Sequence, residues 1–204
     1  MTLLAVLALL GCVEPHASGE IRVLPIGDSY TAGFLSVGGW RPFVEGVDFV
    51  GPLCDSALED CEHAGVSGRR LDEMAEDAAE LVAAHEPDVV IVWGGYNDVV
   101  RGATPTEAAD RMDALVDVVR AAGAPRIVLV STFRPHTALG DTVDAFTDLA
   151  RERAAARDVE LADVRAETDD SATWIECTDN VHPTHRGYEK AGEVIGAALR
   201  RGRR

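Results

Sequence analysis

Residues 24–33 read LPIGDSYTAG, with Ser29 directly after a Gly-Asp pair at the end of an apolar run. A serine hydroxyl is a poor nucleophile until a base takes its proton, so the meaning of Ser29 depends on a histidine. Of the six histidines, the one in CTDNVHPTHRGY has the most telling surroundings, because Asp179 precedes His182 by three residues. One short loop can then supply a base and the carboxylate that orients it. The carboxylate would hold the imidazole in the tautomer whose other nitrogen faces the serine, and would stabilise the imidazolium as it forms. Pro183 stiffens the segment after the histidine. His185 has no carboxylate at the matching place and ranks below His182.

Acyl transfer also needs hydrogen-bond donors aimed at the developing oxyanion. GGYND at 94–98 places the Asn97 side-chain amide just past an apolar run, after paired glycines that let the chain turn sharply. HAGVSG at 63–68 ends in Gly68, whose backbone N–H could approach a ligand with no side chain in the way. The N–H of Ser29 is the third candidate donor. Taken singly, each glycine reads as a loop turn and Asn97 as a cap. Their order along the chain, together with Ser29 and the Asp179/His182 pair, gives them weight.

The elements that must position these residues follow from hydrophobic pattern. IRVLPI at 21–26, VDFVG at 47–51, DVVIVWGG at 88–95 and RIVLVST at 126–132 read as strands, with VELADV at 159–164 a weaker fifth. Two of them are nearly continuous apolar runs, as in central parallel strands covered on both faces. Helical patterns lie between them at 70–85, 106–122 and 141–157, with a last helix at about 184–200. Thr104-Pro105 marks one helix start and Gly123 its stop. Alternating strands and helices predict a doubly wound, mostly parallel α/β sheet with helices on both faces. Ligands in such sheets bind beyond the carboxyl ends of the strands, where GDSYTAG, GGYND and the segment after LADV all fall.

At 204 residues the chain has room for one domain with a real core. Its 35 acidic residues against 19 basic ones give a formal net charge of -16, a field that repels nucleic acid and anionic lipid. The arginines at the C-terminal end suit a helix dipole better than a docking patch. The apolar stretch from Leu3 to Leu10 is of signal-peptide length, shorter than the ~20 residues that span a bilayer. LLGC at 9–12 resembles the bacterial lipobox, which makes Cys12 a candidate for lipidation; the alternative is a cysteine in a cleaved signal. Residues 1–19 are therefore expected to be an export or lipoprotein signal with a short tether, and 20–204 one catalytic domain. Cys54 and Cys61 could close a small disulfide loop in an exported protein, with Cys177 an alternative partner for either. A zinc site with His63 is disfavoured by the wide Cys54 to Cys61 separation.

GDSY with Ser29, Gly68, GYND with Gly95 and Asn97, and DNVHP with Asp179 and His182 resemble, in order, the sequence blocks of the SGNH hydrolases, the GDSL esterase and lipase superfamily. The resemblance implies a three-layer, flavodoxin-like α/β fold and ester hydrolysis by Ser29, His182 and Asp179, with no metal or other cofactor. Ser29, Gly68 and Asn97 would form the oxyanion hole. IRVLPIGDSYTAG, VDFVGP, HAGVSGRRLDEM and PDVVIVWGGYND are in addition similar to carbohydrate esterases of the acetyl xylan esterase type. That narrower likeness implies an acylated carbohydrate as substrate; Asp28, Tyr96 and Arg134, the last just beyond the fourth strand, are candidate contacts. Tyr30 and Tyr96 depart from that group's usual residues, and Tyr96 could reshape the acyl pocket. The alternatives are a lysophospholipase or thioesterase of the same superfamily, and a cell-surface carbohydrate-binding protein without turnover. No nucleic acid partner is expected, and contact with a membrane only through a lipid on Cys12.

Overall fold

A computed structural model describes residues 21–34, 39–44, 47–50, 65–169, 173–176 and 178–201. The expected signal segment, Cys12, Cys54, Cys61, Cys177 and His63 lie outside the described residues. Five strands form one sheet: β1 (Ile21–Gly27), β2 (Val47–Phe49), β3 (Val89–Trp93), β4 (Ile127–Val130) and β5 (Glu160–Ala162). Their order is β2-β1-β3-β4-β5 and every neighbouring pair is parallel. The helices are α1 (Ser29–Ala32), α2 (Leu71–His85), α3 (Tyr96–Val100), α4 (Pro105–Ala121), α5 (Gly140–Ala156) and α6 (His185–Arg201).

Successive side chains of a strand point to opposite faces, and both faces are covered here. Leu24, Ile26, Val90, Val92 and Leu129 pack into one core with Met74 and Val82 of α2, Leu115 and Val119 of α4, and Val143 and Phe146 of α5. Val23, Ile91, Trp93, Val128 and Val130 pack into the other with Trp40 and with Tyr188, Ile195 and Leu199 of α6. This three-layer arrangement explains why β3 reads as five consecutive buried residues rather than an alternation. It is the doubly wound fold that the strand and helix pattern predicts.

Pro25 sits in a strand paired on both sides, where a missing N–H would normally break a ladder. The ladder to β2 ends before it matters. The Val23 carbonyl accepts from Val50 N–H, so residue 25 faces the same edge, but the last paired position of β1 with β2 is Val23 with Phe49. At α4 the Thr104 hydroxyl accepts from Glu107 N–H, Glu107 reaches back to Thr104 N–H at 2.8 Å, and Pro105 opens the helix. The short helices α1 and α3 have too few residues for an amphipathic period, so the sequence pattern there reads as loop.

Candidate active site

The site is built where β1 and β3, adjacent in the sheet, reach their carboxyl ends. The register puts Gly27 beside Trp93. A Cβ on Gly27 would lie 1.9 Å from Thr31 Oγ1 and 2.3 Å from the Trp93 carbonyl oxygen, so only glycine lets β1 turn straight into α1. Asp28 then caps α1, its Oδ1 accepting from Tyr30 N–H at 3.0 Å. Ser29 is the first residue of that helix and keeps 8% of its surface exposed.

The segment before α2 hangs from the same strand end, with Gly65 bridged to Gly27 and Val66 N–H donating to the Gly27 carbonyl at 3.0 Å. This brings in Gly68, which has φ +82. Asp98 of α3 and Arg101 just after it tie this segment to the helix that carries Asn97: Arg101 Nη2 donates to the Gly68 carbonyl at 2.8 Å, and Asp98 Oδ2 accepts from Leu71 N–H at 3.0 Å. Asp98, fully buried, also receives Arg111 Nη1 at 2.8 Å. Gly95 has φ +109, and a Cβ there would meet the Phe146 ring at 2.3 Å, so the turn from β3 into α3 requires glycine.

On the other side, the loop before α6 folds around Asp179. One carboxylate oxygen accepts from Val181 N–H at 2.9 Å and His182 N–H at 3.0 Å; the other meets His182 Nδ1 at 2.6 Å. His182 Nε2 is 2.7 Å from Ser29 Oγ. Two outside contacts hold this loop, His136 N–H to the Asn180 carbonyl at 2.8 Å and Tyr30 hydroxyl to the Val181 carbonyl at 3.1 Å, and within it Glu176 N–H donates to the His182 carbonyl at 2.8 Å. The His182 ring lies between Phe34 and Tyr30, with centroids at 4.6 Å and 5.6 Å. Burial alone would raise the Asp179 carboxyl, but hydrogen bonds from the His182 ring and from two backbone N–H groups outweigh it and hold the group below the usual range.

The structure thus brings Ser29, His182 and Asp179 into one hydrogen-bonded chain and sets Asn97 beside Asp28. Two of the substrate-contact candidates have their polar atoms engaged within the fold. Asp28 is fully buried and faces the Tyr30 N–H and the Asn97 amide, with Asn97 Nδ2 donating to its Oδ2 at 3.1 Å. Arg134 is ion-paired with Asp141 at 2.6 Å and with Asp144, both in the first turns of α5. Tyr96 is half-buried at the start of α3, edge-on to Tyr30 at 6.3 Å; burial and then the Asp179 charge raise its hydroxyl. His185 opens α6 against Phe43. Phe34 and Arg101 were not singled out in the sequence. Neither carries a motif, and only the fold shows that one touches the imidazole and the other the Gly68 carbonyl.

Known proteins resemble this chain over most of its length. A multidomain esterase of Ruminococcus flavefaciens is 25% identical over 221 residues, covering 87% of this chain and 28% of that longer protein. Among solved structures, a family 3 carbohydrate esterase of Clostridium thermocellum superposes with TM-score 0.74 at 22% identity, over 89% of this chain and 96% of the other. A lipase/acylhydrolase of Enterococcus faecalis gives TM-score 0.70 at 18% identity, over 89% and 96%. These two likenesses bear on the fold. The model of the GDSL-like Lipase/Acylhydrolase family matches residues 26–190, a span that contains Ser29, Gly68, Asn97, Asp179 and His182, and the chain belongs to that family.

Proposed function

We propose that this chain is an exported serine esterase that removes small acyl groups, chiefly acetyl, from carbohydrate. The observation that carries the reading is the chain of contacts from Asp179 Oδ2 through His182 to Ser29 Oγ, at 2.6 Å and 2.7 Å. The carboxylate is acceptor-only, so it takes the Nδ1 proton and leaves Nε2 free to accept from the serine hydroxyl. Ser29 Oγ attacks the ester carbonyl carbon as His182 takes its proton. The tetrahedral oxyanion is held by the N–H groups of Ser29 and Gly68 and by the Asn97 amide. The alcohol leaves with the proton from His182, and water hydrolyses the acyl-enzyme by the same machinery in reverse roles. Each oxyanion donor of this kind is worth ~10²- to 10³-fold in rate.

The carbohydrate part of the reading draws support from the similarity to esterases whose names include carbohydrate esterase family 3, and from the likeness of HAGVSGRRLDEM and PDVVIVWGGYND to acetyl xylan esterases. The export part rests on Leu3 to Leu10 and on LLGC. The test measures acetate release from acetylated xylan and hydrolysis of p-nitrophenyl esters of increasing chain length, by wild type and Ser29→Ala. Activity on short esters and acetylated glycan that falls by ~10³-fold or more in the variant is the expected result. A preference for long acyl chains moves the chain to the lysophospholipase or thioesterase branch. A folded wild type with no turnover on any ester refutes the esterase.

A further inference from the structure

We infer that Asp28 is a positioning residue that selects which end of the Asn97 amide is presented to the substrate. The inference rests on the proposed role of Asn97 as an oxyanion donor and adds the group that makes it one. An asparagine amide has a donor end and an acceptor end of nearly the same shape, and only its partners decide which way it lies. If the carbonyl oxygen occupied the donor's place, it would repel the oxyanion that the site must hold.

Asp28 removes that ambiguity. Its Oδ1 is taken by Tyr30 N–H at 3.0 Å, a backbone donor fixed by α1. Its Oδ2 lies 3.1 Å from Asn97 Nδ2. An ionised carboxylate only accepts, so the NH2 end of Asn97 must face it. One N–H of that group is spent on Asp28, and the second, about 120° away on the same nitrogen, is left to donate. Asp28 is fully buried, so no water competes for this arrangement. It also stands between Gly27 and Ser29, so the carboxylate that orients the amide belongs to the same turn that presents the nucleophile.

Asp28→Asn is the informative variant because it keeps shape and changes only donor and acceptor. Tyr30 N–H still needs an acceptor, so the new side chain gives it the oxygen and turns its NH2 toward Asn97. Asn97 must then answer with its carbonyl, which moves its donor away from the oxyanion. On p-nitrophenyl acetate at about pH 8, where the Asp28 carboxyl is ionised, kcat of Asp28→Asn is expected to fall about 10²-fold with KM changed by less than ~3-fold, matching Asn97→Ala. In the Asn97→Ala background the Asp28→Asn change is expected to cost less than ~3-fold more, because the group it acts through is gone. A single variant within ~3-fold of wild type, or losses that multiply in full in the double variant, overturns the inference while leaving the esterase intact.

A second measurement does not need turnover. The two side-chain amide protons of Asn97, assigned in nitrogen-15 spectra by their disappearance in Asn97→Ala, are expected to be split more widely in wild type than in a free asparagine, because one of them is bound to the carboxylate, and to return to the ordinary splitting in Asp28→Asn. Amide protons that stay where they are in that variant overturn the inference even for a protein that hydrolyses nothing.

Discussion

Asp28→Asn is expected to stabilise the protein, and by an amount that grows with pH. In an unfolded chain the Asp28 carboxyl titrates near 3.8; in the fold, burial pushes it up to about 7, against the hydrogen bonds from Tyr30 N–H and the Asn97 amide and with a small further push from the Asp98 charge. Below pH 3.8 both states hold the proton and the group contributes no pH dependence. Between pH 3.8 and 7 the native state holds a proton that the unfolded chain has lost, so stability falls as pH rises. Above 7 the whole difference is spent, about three pH units at ~1.4 kcal/mol each, or ~4 kcal/mol. Asparagine does not titrate and keeps an oxygen for Tyr30 N–H. Between pH 5.5 and 8, about 2 kcal/mol of that difference should emerge as a growing advantage of the variant, equivalent to ~4–8 °C in Tm for a chain of this size. Urea unfolding of both proteins at the two pH values, followed by tryptophan fluorescence, measures it. A stability difference between variant and wild type that is the same at pH 5.5 and 8 would refute the assignment of a buried, titrating carboxylate.

The same group predicts how the kinetic penalty depends on pH. Protonated Asp28 can offer its own O–H to Asn97 just as an asparagine offers N–H, so the gap in kcat between wild type and Asp28→Asn should narrow as pH falls below 7; a constant ratio from pH 5.5 to 8 argues against it. The buried phenols of Tyr30 and Tyr188 bear on Asp28 as well, but both are held well above 10 and stay neutral throughout this range. Asp98→Ala should cost about 2 kcal/mol in urea unfolding, because it strips the acceptor from Leu71 N–H and from Arg111, whose 31% exposure lets water take over part of its charge. Asp98→Asn, which keeps an oxygen for Leu71, should cost about half as much, and equal losses in the two would contradict the capping role.

The fold was legible because its signals are long and of one kind. The runs at 88–95 and 126–132 read as strands covered on both faces, and Thr104-Pro105 puts the start of α4 within one residue of where it lies. The spacing of Asp179 and His182 was legible for the same reason that it works: three residues suffice for a carboxylate to reach both the imidazole and its backbone N–H. What the sequence could not show were contacts made across the fold. Asp28 is a candidate substrate contact in the sequence, but a capping turn points successive side chains in different directions, and this one turns inward. Arg134 looked like an available cation beyond β4; Asp141 and Asp144 lie only one helix turn into α5 and reach back to it. Their pairing depends on how the loop from β4 returns, which no local pattern encodes.

Asp28 breaks the rule that charges stay at the surface, and this is why it carries information. A carboxyl buried at the end of β1 costs stability that an asparagine would restore, so packing does not account for its presence. The Tyr30 N–H could be capped equally well by Asn, Ser or Thr. The demand that Asn97 present nitrogen rather than oxygen is met by a group that, once ionised, accepts and does not donate. In the proposed mechanism Ser29 needs His182 to take its proton, His182 needs Asp179 to fix its tautomer, and Asn97 needs Asp28 to fix its amide. In two of these pairs the acidic member acts by the same means, an acceptor that fixes the orientation of its partner: Asp179 holds the Nδ1 proton so that Nε2 can accept from Ser29, and Asp28 holds one N–H of Asn97 so that the other can donate.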